Sequence, residues 1–194
     1  WTGVSFGTDT VTASVGEHSD TATLDWQQLP CATPFVDVGE AHPFCRDIEW
    51  MAGKGLATGW PDGTFRPGLS VSRQAKAAFL WRLAGSPEPE PGPPSFSDVP
   101  AGHPFADAIA WMAQEGIAEG YEDGTYRPTE PISRQAMAAF IWRLAGSPTP
   151  DAGYTTFPDV PADSAFREAI GWMAAFGIAE GYEDGTYRPT DPTS

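Results

Sequence analysis

The chain has 194 residues and a formal net charge of −15. Such an acidic balance excludes general nucleic-acid binding, which needs a basic footprint, and adhesion to an anionic surface by bulk charge. Hydrophobic residues at 41% with eight Trp suffice for a core, while 20 Pro and 21 Gly call for many turns.

No run reaches the ~20 apolar residues of a membrane span. The chain opens on Trp1 and not Met, which reads as a mature or excised piece. Two Cys, few Lys and a Thr/Pro-rich acidic composition fit an exported, bacterial-type protein.

Residues 1–30 stand apart. Val11, Ala13 and Val15 alternate with Thr12 and Ser14, and Thr21–Trp26 alternates too, so two half-buried strands joined through Gly16–Asp20 are expected. They read either as the tail of a preceding β-sandwich-like domain or as a hairpin laid on the rest of the chain.

A period of 61 residues organises the remainder. Gly116–Pro128 (GIAEGYEDGTYRP) recurs unchanged as Gly177–Pro189 and more loosely as Gly55–Pro67 (GLATGWPDGTFRP). Such self-similarity marks copies of one supersecondary unit that cannot bury its apolar face alone. The copies divide as residues 31–86, 87–147 and 148–194.

Each copy begins with Phe-x-Asp-Val (Phe35–Val38, Phe96–Val99, Phe157–Val160), whose Asp is expected to cap the next helical turn. A first helix comes after it, about Phe105–Gln114 in the middle copy, with Phe105, Ala108, Ile109 and Met112 on one stripe. Trp50, Trp111 and Trp172 flank that stripe, and Gly55, Gly116 and Gly177 end the helix as C′ glycines. The loop with its Asp-Gly turn signal comes next. Ser72 or Ser133 then caps a second helix, in which Met137, Phe140, Ile141 and Leu144 form the core stripe. Pro-rich connections (Ser86–Ser95, Ser147–Thr156) are expected to be extended. The third copy stops at Ser194, where its second helix would begin.

Phe-x-Asp-Val, a Trp-bearing helix, Gly-Ile-x-x-Gly-Tyr-x-Asp-Gly-Thr-Tyr-Arg-Pro and then Ile-Ser-Arg-Gln-Ala together resemble the S-layer homology (SLH) repeat over about Pro34–Ser194. The resemblance implies a mainly α fold with three helix–loop–helix repeats in pseudo-threefold arrangement, the third truncated, after a short β segment. It implies a central bundle of second helices and ligand grooves between repeats. It also implies extracellular, non-covalent anchoring at a bacterial cell surface through an anionic secondary cell-wall polysaccharide, often pyruvylated. The family's usual Thr-Arg-Ala-Glu opening of the second helix is replaced here by Ser72-Arg73-Gln74-Ala75 and Ser133-Arg134-Gln135-Ala136. This form is similar to the variant of actinobacterial surface proteins.

Candidate chemistry sits on the repeated positions. Arg73 and Arg134, each with its Gln74 or Gln135, start the second helices. A helix N-terminus with unsatisfied N–H groups favours an anion, and an Arg fork can grip a carboxylate with two bonds. The competing reading is an Arg paired with a nearby Asp or Glu. Trp60, Tyr121 and Tyr182 share one loop position and offer a platform for a sugar ring or, alternatively, packing against the neighbouring repeat. Gly59, Gly120 and Gly181 precede them and permit close backbone approach.

Asp62, Asp123 and Asp184 suit a turn better than calcium, which wants six to eight oxygens. Arg66, Arg127 and Arg188 brace the loop against such acids. Trp81 and Trp142 lie off the core stripe and mark an interface, with the next repeat or with another molecule in self-association. Cys31 and Cys45 form either a disulfide stapling the first repeat or two free buried thiols. No zinc spacing and no nucleophile–base motif occurs, so neither cofactor nor catalysis is expected. Two other readings stay open: a protein-interaction or self-assembly scaffold, and an accessory region of a cell-wall hydrolase.

Overall fold

A computed structural model of the chain describes the backbone of residues 7–15 and 18–26 and, with side chains, residues 30–93, 95–149 and 156–193. Strands β1 (Gly7–Val15) and β2 (His18–Trp26) pair antiparallel, from Gly7 opposite Trp26 to Val15 opposite His18. β2 starts before the Thr21 alternation because Ser19 and Asp20 join the ladder through their backbones, which side-chain polarity does not report.

Beyond the hairpin, five helices form among the described residues. α1 (Cys45–Gly53), α3 (Ala106–Gln114) and α5 (Arg167–Ala175) are the first helices of their repeats. α2 (Arg73–Leu83) and α4 (Arg134–Leu144) are the second helices. The Ser72 and Ser133 hydroxyls accept from the N–H of Ala75 and Ala136, so both N-caps form as the sequence predicts.

Gly116 ends α3 at φ 67, its N–H on the Ala113 carbonyl and that of Ile117 on the Met112 carbonyl. This paired bonding satisfies the last carbonyls of the helix, and only glycine takes the left-handed C′ position without strain.

The Asp of Phe-x-Asp-Val does something else than cap a helix. α1, α3 and α5 start at Phe44, Phe105 and Phe166 without a side-chain cap. The two oxygens of Asp98 instead accept from the N–H groups of Tyr126 (2.7 Å) and Arg127 (2.8 Å), far along the chain. Asp37 clamps Phe65 and Arg66 in the same way, and Asp159 clamps Tyr187 and Arg188. Arg66, Arg127 and Arg188 adopt positive φ, and a left-handed residue in such a turn can aim successive N–H groups at one anion.

Second helices pack on the first helix of the following repeat, α2 on α3 and α4 on α5. α4 is therefore covered on two sides. Met137, Phe140, Ile141 and Leu144 face a core with Phe96, Ile109, Met112 and Ile117. Ala138, Ala139 and Trp142 face another with Ile170, Trp172, Met173 and Tyr187. Burying a side chain of this class contributes roughly 1.5–3 kcal/mol, so the joints between repeats are part of the core and not a docking of finished units.

A ring of backbone bonds marks the pseudo-threefold axis. Val71 donates to the Thr193 carbonyl (2.8 Å), Ile132 to Val71 (2.8 Å) and Thr193 to Ile132 (3.0 Å). These three residues are 61 apart, and the bonds close a circle that links the third repeat to the first.

Candidate functional site

The seam between one second helix and the loop of the next repeat collects most of the candidate residues. Arg73 leaves the first turn of α2 and runs under the following loop, where it is buried at 6% exposure. Its Nε donates to the Tyr126 carbonyl at 2.7 Å. Its guanidinium carbon lies 4.6 Å from the Tyr126 ring centroid, 5.0 Å from Tyr121 and 5.6 Å from Phe140. Such faces attract a cation without neutralising it. Among the described residues no carboxylate pairs with Arg73. Among the described residues no hydrogen bond engages its two amino groups.

The second seam repeats the plan with a difference. Arg134 Nε donates to the Tyr187 carbonyl at 2.8 Å, with the Tyr187 and Tyr182 rings at 4.4 and 5.1 Å. One amino group is also tied to the Glu180 carbonyl at 2.9 Å, and the residue is only half-buried.

The backbone N–H groups of these helix starts are already used. Arg73 and Gln74 donate to the Glu130 and Pro128 carbonyls, and Arg134 and Gln135 to Asp191 and Pro189. The expected anion cradle of unsatisfied N–H groups is thus absent at both seams, because the following repeat's loop fills it. What remains for an anion is the Arg side chain. The Gln74 and Gln135 side chains stand half-buried beside it.

Trp60, Tyr121 and Tyr182 stay 50%, 38% and 39% exposed. Each carries a guanidinium from its own loop: Arg66 at 4.2 Å, Arg127 at 3.8 Å and Arg188 at 3.8 Å. Tyr121 and Tyr182 also meet the Arg from the preceding repeat, so they line the seam, whereas Trp60 has only Arg66 among the described residues. A Cβ on Gly59 or Gly120 would collide with the Phe35 or Phe96 ring and come within 2.8 Å of a loop carbonyl. Gly181 meets Phe157 in the same way. The close approach these glycines permit is to the Phe of their own repeat.

The loop Asp residues are turn formers, as expected. Asp62 accepts from the Thr64 N–H and hydroxyl and pairs with Arg66 at 2.7 Å. Asp123 and Asp184 do the same with Thr125–Arg127 and Thr186–Arg188. Hydrogen bonds from Thr64 and then Arg66 hold the Asp62 carboxyl at about 2, and those from Thr125 hold Asp123 at about 2. Asp184 is lowered further, by Thr186 and then Arg188.

Trp81 and Trp142 are half-buried, not open rings. Their indole N–H groups donate to the Pro87 and Pro148 carbonyls at 2.8 and 2.9 Å, fastening each connection to its helix. Their rings join the cores shared with the next repeat. Cys31 and Cys45 are joined by a disulfide beside Phe35, Val38 and Ile48.

The family model described as S-layer homology domain matches residues 34–75, 95–138 and 156–194. The chain belongs to the S-layer homology domain family. Each match contains one Phe-x-Asp-Val clamp and one Asp-Gly loop, and the first two reach into α2 and α4. Among its relatives, Cell surface glycoprotein 1 of Acetivibrio thermocellus is 31% identical over 68% of this chain and 6% of its own length. The Cellulosome-anchoring protein of the same organism is 29% identical over 74% of this chain and 34% of its own. The Amylopullulanase of Thermoanaerobacterium thermosulfurigenes is 31% identical over 73% of this chain and 8% of its own. The chain thus spans about a third or less of these relatives. SLH membership and cell-surface relatives assign it an extracellular, wall-associated location. Among the described residues no helix is long and apolar enough to cross a membrane.

Sequence reasoning missed Tyr126 and Tyr187, which the 61-residue repeat alone could have flagged as seam residues. It also missed Lys76, which stands where α4 carries Met137. Desolvation by burial brings its ammonium down to about 8.

Proposed function

We propose that the chain is a non-catalytic anchoring module that holds an anionic wall polysaccharide in the seams between its SLH repeats. One observation carries the reading: Arg73 keeps an uncompensated guanidinium under aromatic rings in a chain with 26 acids and 11 bases. A charge placed so without an internal carboxylate is costly unless something anionic meets it. Its Nη groups supply a planar fork for a carboxylate, such as a pyruvate ketal or a uronate. Arg134 offers the same group with one amino nitrogen already engaged. Tyr121 and Tyr182 form the rim against which a sugar ring rests. The Cellulosome-anchoring relative supports the anchoring role; the Amylopullulanase relative is matched over only 8% of its length and lends an enzymatic reading little.

Pull-down with purified wall sacculi tests this. The parent chain is retained, and Arg73→Ala with Arg134→Ala lowers retention by about tenfold or more with an unchanged circular dichroism spectrum. Equal retention of a folded double variant overturns the reading.

A further inference from the structure

A Pro-rich strap joins the end of α2 to Phe96 and runs beside α3. Pro87, Pro89, Pro91 and Pro93 deny it the N–H groups that a helix or a ladder needs. Side chains pin it instead. The Pro87 carbonyl accepts from the Trp81 indole N–H at 2.8 Å. Further on, the Glu90 N–H donates to Gln114 Oε1 and the Glu90 carbonyl accepts from Gln114 Nε2, each at 2.9 Å. Gln114 is private to this repeat, since Gly53 and Ala175 stand at its equivalents. The fold of the repeat does not require it, and its amide fixes the strap over the helix.

Between strap and helix lies a cavity of about 310 Å³. Ligand pockets begin near this size, at about 300 Å³. Its lining has two characters. Phe96, Val99 and Ile109, all buried, give it an apolar floor. Glu88 and Glu90 from the strap and Asp107 from the first turn of α3 give it charge. No Lys, Arg or His lines it, and among the described residues none of these three carboxylates enters an ion pair. The carbonyls of Pro89, Pro91 and Pro93 accept no hydrogen bond from the described residues. The dipole of α3 accounts for Asp107, since an acid is favoured in any first turn, but not for the two glutamates on the strap.

We propose that this cavity binds a primary alkylammonium group, the kind carried by the side chain of a diamino acid. Its methylene stem lies on the floor of Phe96 and Ile109, and its ammonium sits among Glu88, Glu90 and Asp107. An ammonium on an alkyl stem has the complementary form: the stem covers apolar surface while the compact head offers three donors. The unpaired carboxylates supply the opposite charge. A bare metal ion would leave the apolar floor unused, and an anion would meet repulsion. None of the lining residues belongs to the arginine seams, so this site adds a cation contact to the anion contact proposed above and stands or falls separately from it.

The test is a titration of the full chain with Nα-acetyl-lysine methylamide and, separately, with cadaverine, followed by NMR at the Gln114 side-chain amide and the Ala110 N–H. Saturable one-to-one shifts are expected. Glu90→Gln with Asp107→Asn should weaken binding about tenfold or more, as loss of charged hydrogen-bond partners does. Both positions are exposed, so the variant keeps its fold, which circular dichroism checks. Glu40→Gln with Asp163→Asn removes the same charge from exposed positions elsewhere and should leave binding unchanged. The Nε-acetylated lysine derivative, which keeps the stem and loses the charge, should not bind. The tighter of the two amines assigns the group to a peptide or to a free diamine. No saturable shift, or equal binding of the acetylated derivative, overturns the proposal. So does equal weakening by both variant pairs, which assigns the effect to the bulk charge of −15.

Discussion

Arg73 and Tyr126 hold each other across the first seam through two bonds that run in opposite directions. Arg73 Nε donates to the Tyr126 carbonyl at 2.7 Å, and the Tyr126 hydroxyl donates to the Arg73 carbonyl at 3.1 Å. Both acceptors are backbone groups, so the link fixes helix to loop and leaves the guanidinium charge uncompensated. Arg134 and Tyr187 repeat it at 2.8 and 3.4 Å. The link thus uses Nε and backbone groups and leaves the amino groups for the anion proposed above.

Tyr126→Phe removes one bond and keeps the ring, so a loss of about 1 kcal/mol is expected in urea unfolding. Tyr126→Ala empties a fully buried site and costs about 3–5 kcal/mol. A Tyr126→Ala cost under about 1 kcal/mol would mean the seam is not a cooperative joint.

Acid should loosen the loops. Asp62 and Asp123 have folded values near 2, below the ordinary carboxylate range, so their contribution is complete above about pH 4 and is lost as pH falls through about 2. Asp37 adds to this, held down first by the Phe65 N–H. Thermal unfolding between pH 7 and 2 should show the fall, and combined Asp62→Asn, Asp123→Asn and Asp184→Asn should flatten it.

Lys76 is a cost the fold carries. Its value near 8 lies below the ordinary 10.5, so the unfolded chain binds the proton more tightly between those values. Stability should rise with pH from about 8 to 10.5, and below 8 the penalty is full. Lys76→Met should stabilise by on the order of 1 kcal/mol at pH 7, and by less at pH 10. Denaturant midpoints at the two pH values check it.

The Cys31–Cys45 bridge closes a short loop around a small core of Phe35, Val38, Cys45 and Ile48. Cys31→Ser should cost about 3 kcal/mol on the chain-entropy account. Proteolysis should then cut residues 31–44 first, while the second and third repeats stay protected.

The 61-residue period carried most of the fold. Helix starts at Ser72 and Ser133, stops at Gly55, Gly116 and Gly177, and the turn role of Asp62, Asp123 and Asp184 were legible because each depends on neighbours within a few residues. The clamp by Asp37, Asp98 and Asp159 was not, since its partners lie 28 and 29 residues away and local spacing favours a cap. The same limit hid the use of the helix-start N–H groups by Pro128 and Glu130. Arg73 and Arg134 were found as repeated cations, but their aromatic surroundings needed the packing of one repeat on the next.

The central claim is that uncompensated guanidinium groups at the seams read a carboxylate on the wall polymer. The most direct measurement is calorimetric titration of the chain with purified wall polysaccharide before and after reduction of its carboxylates to alcohols. Reduction should abolish binding, and the Arg73→Ala, Arg134→Ala variant should respond to the native polymer as the parent does to the reduced one. Undiminished affinity for the reduced polymer would contradict the account.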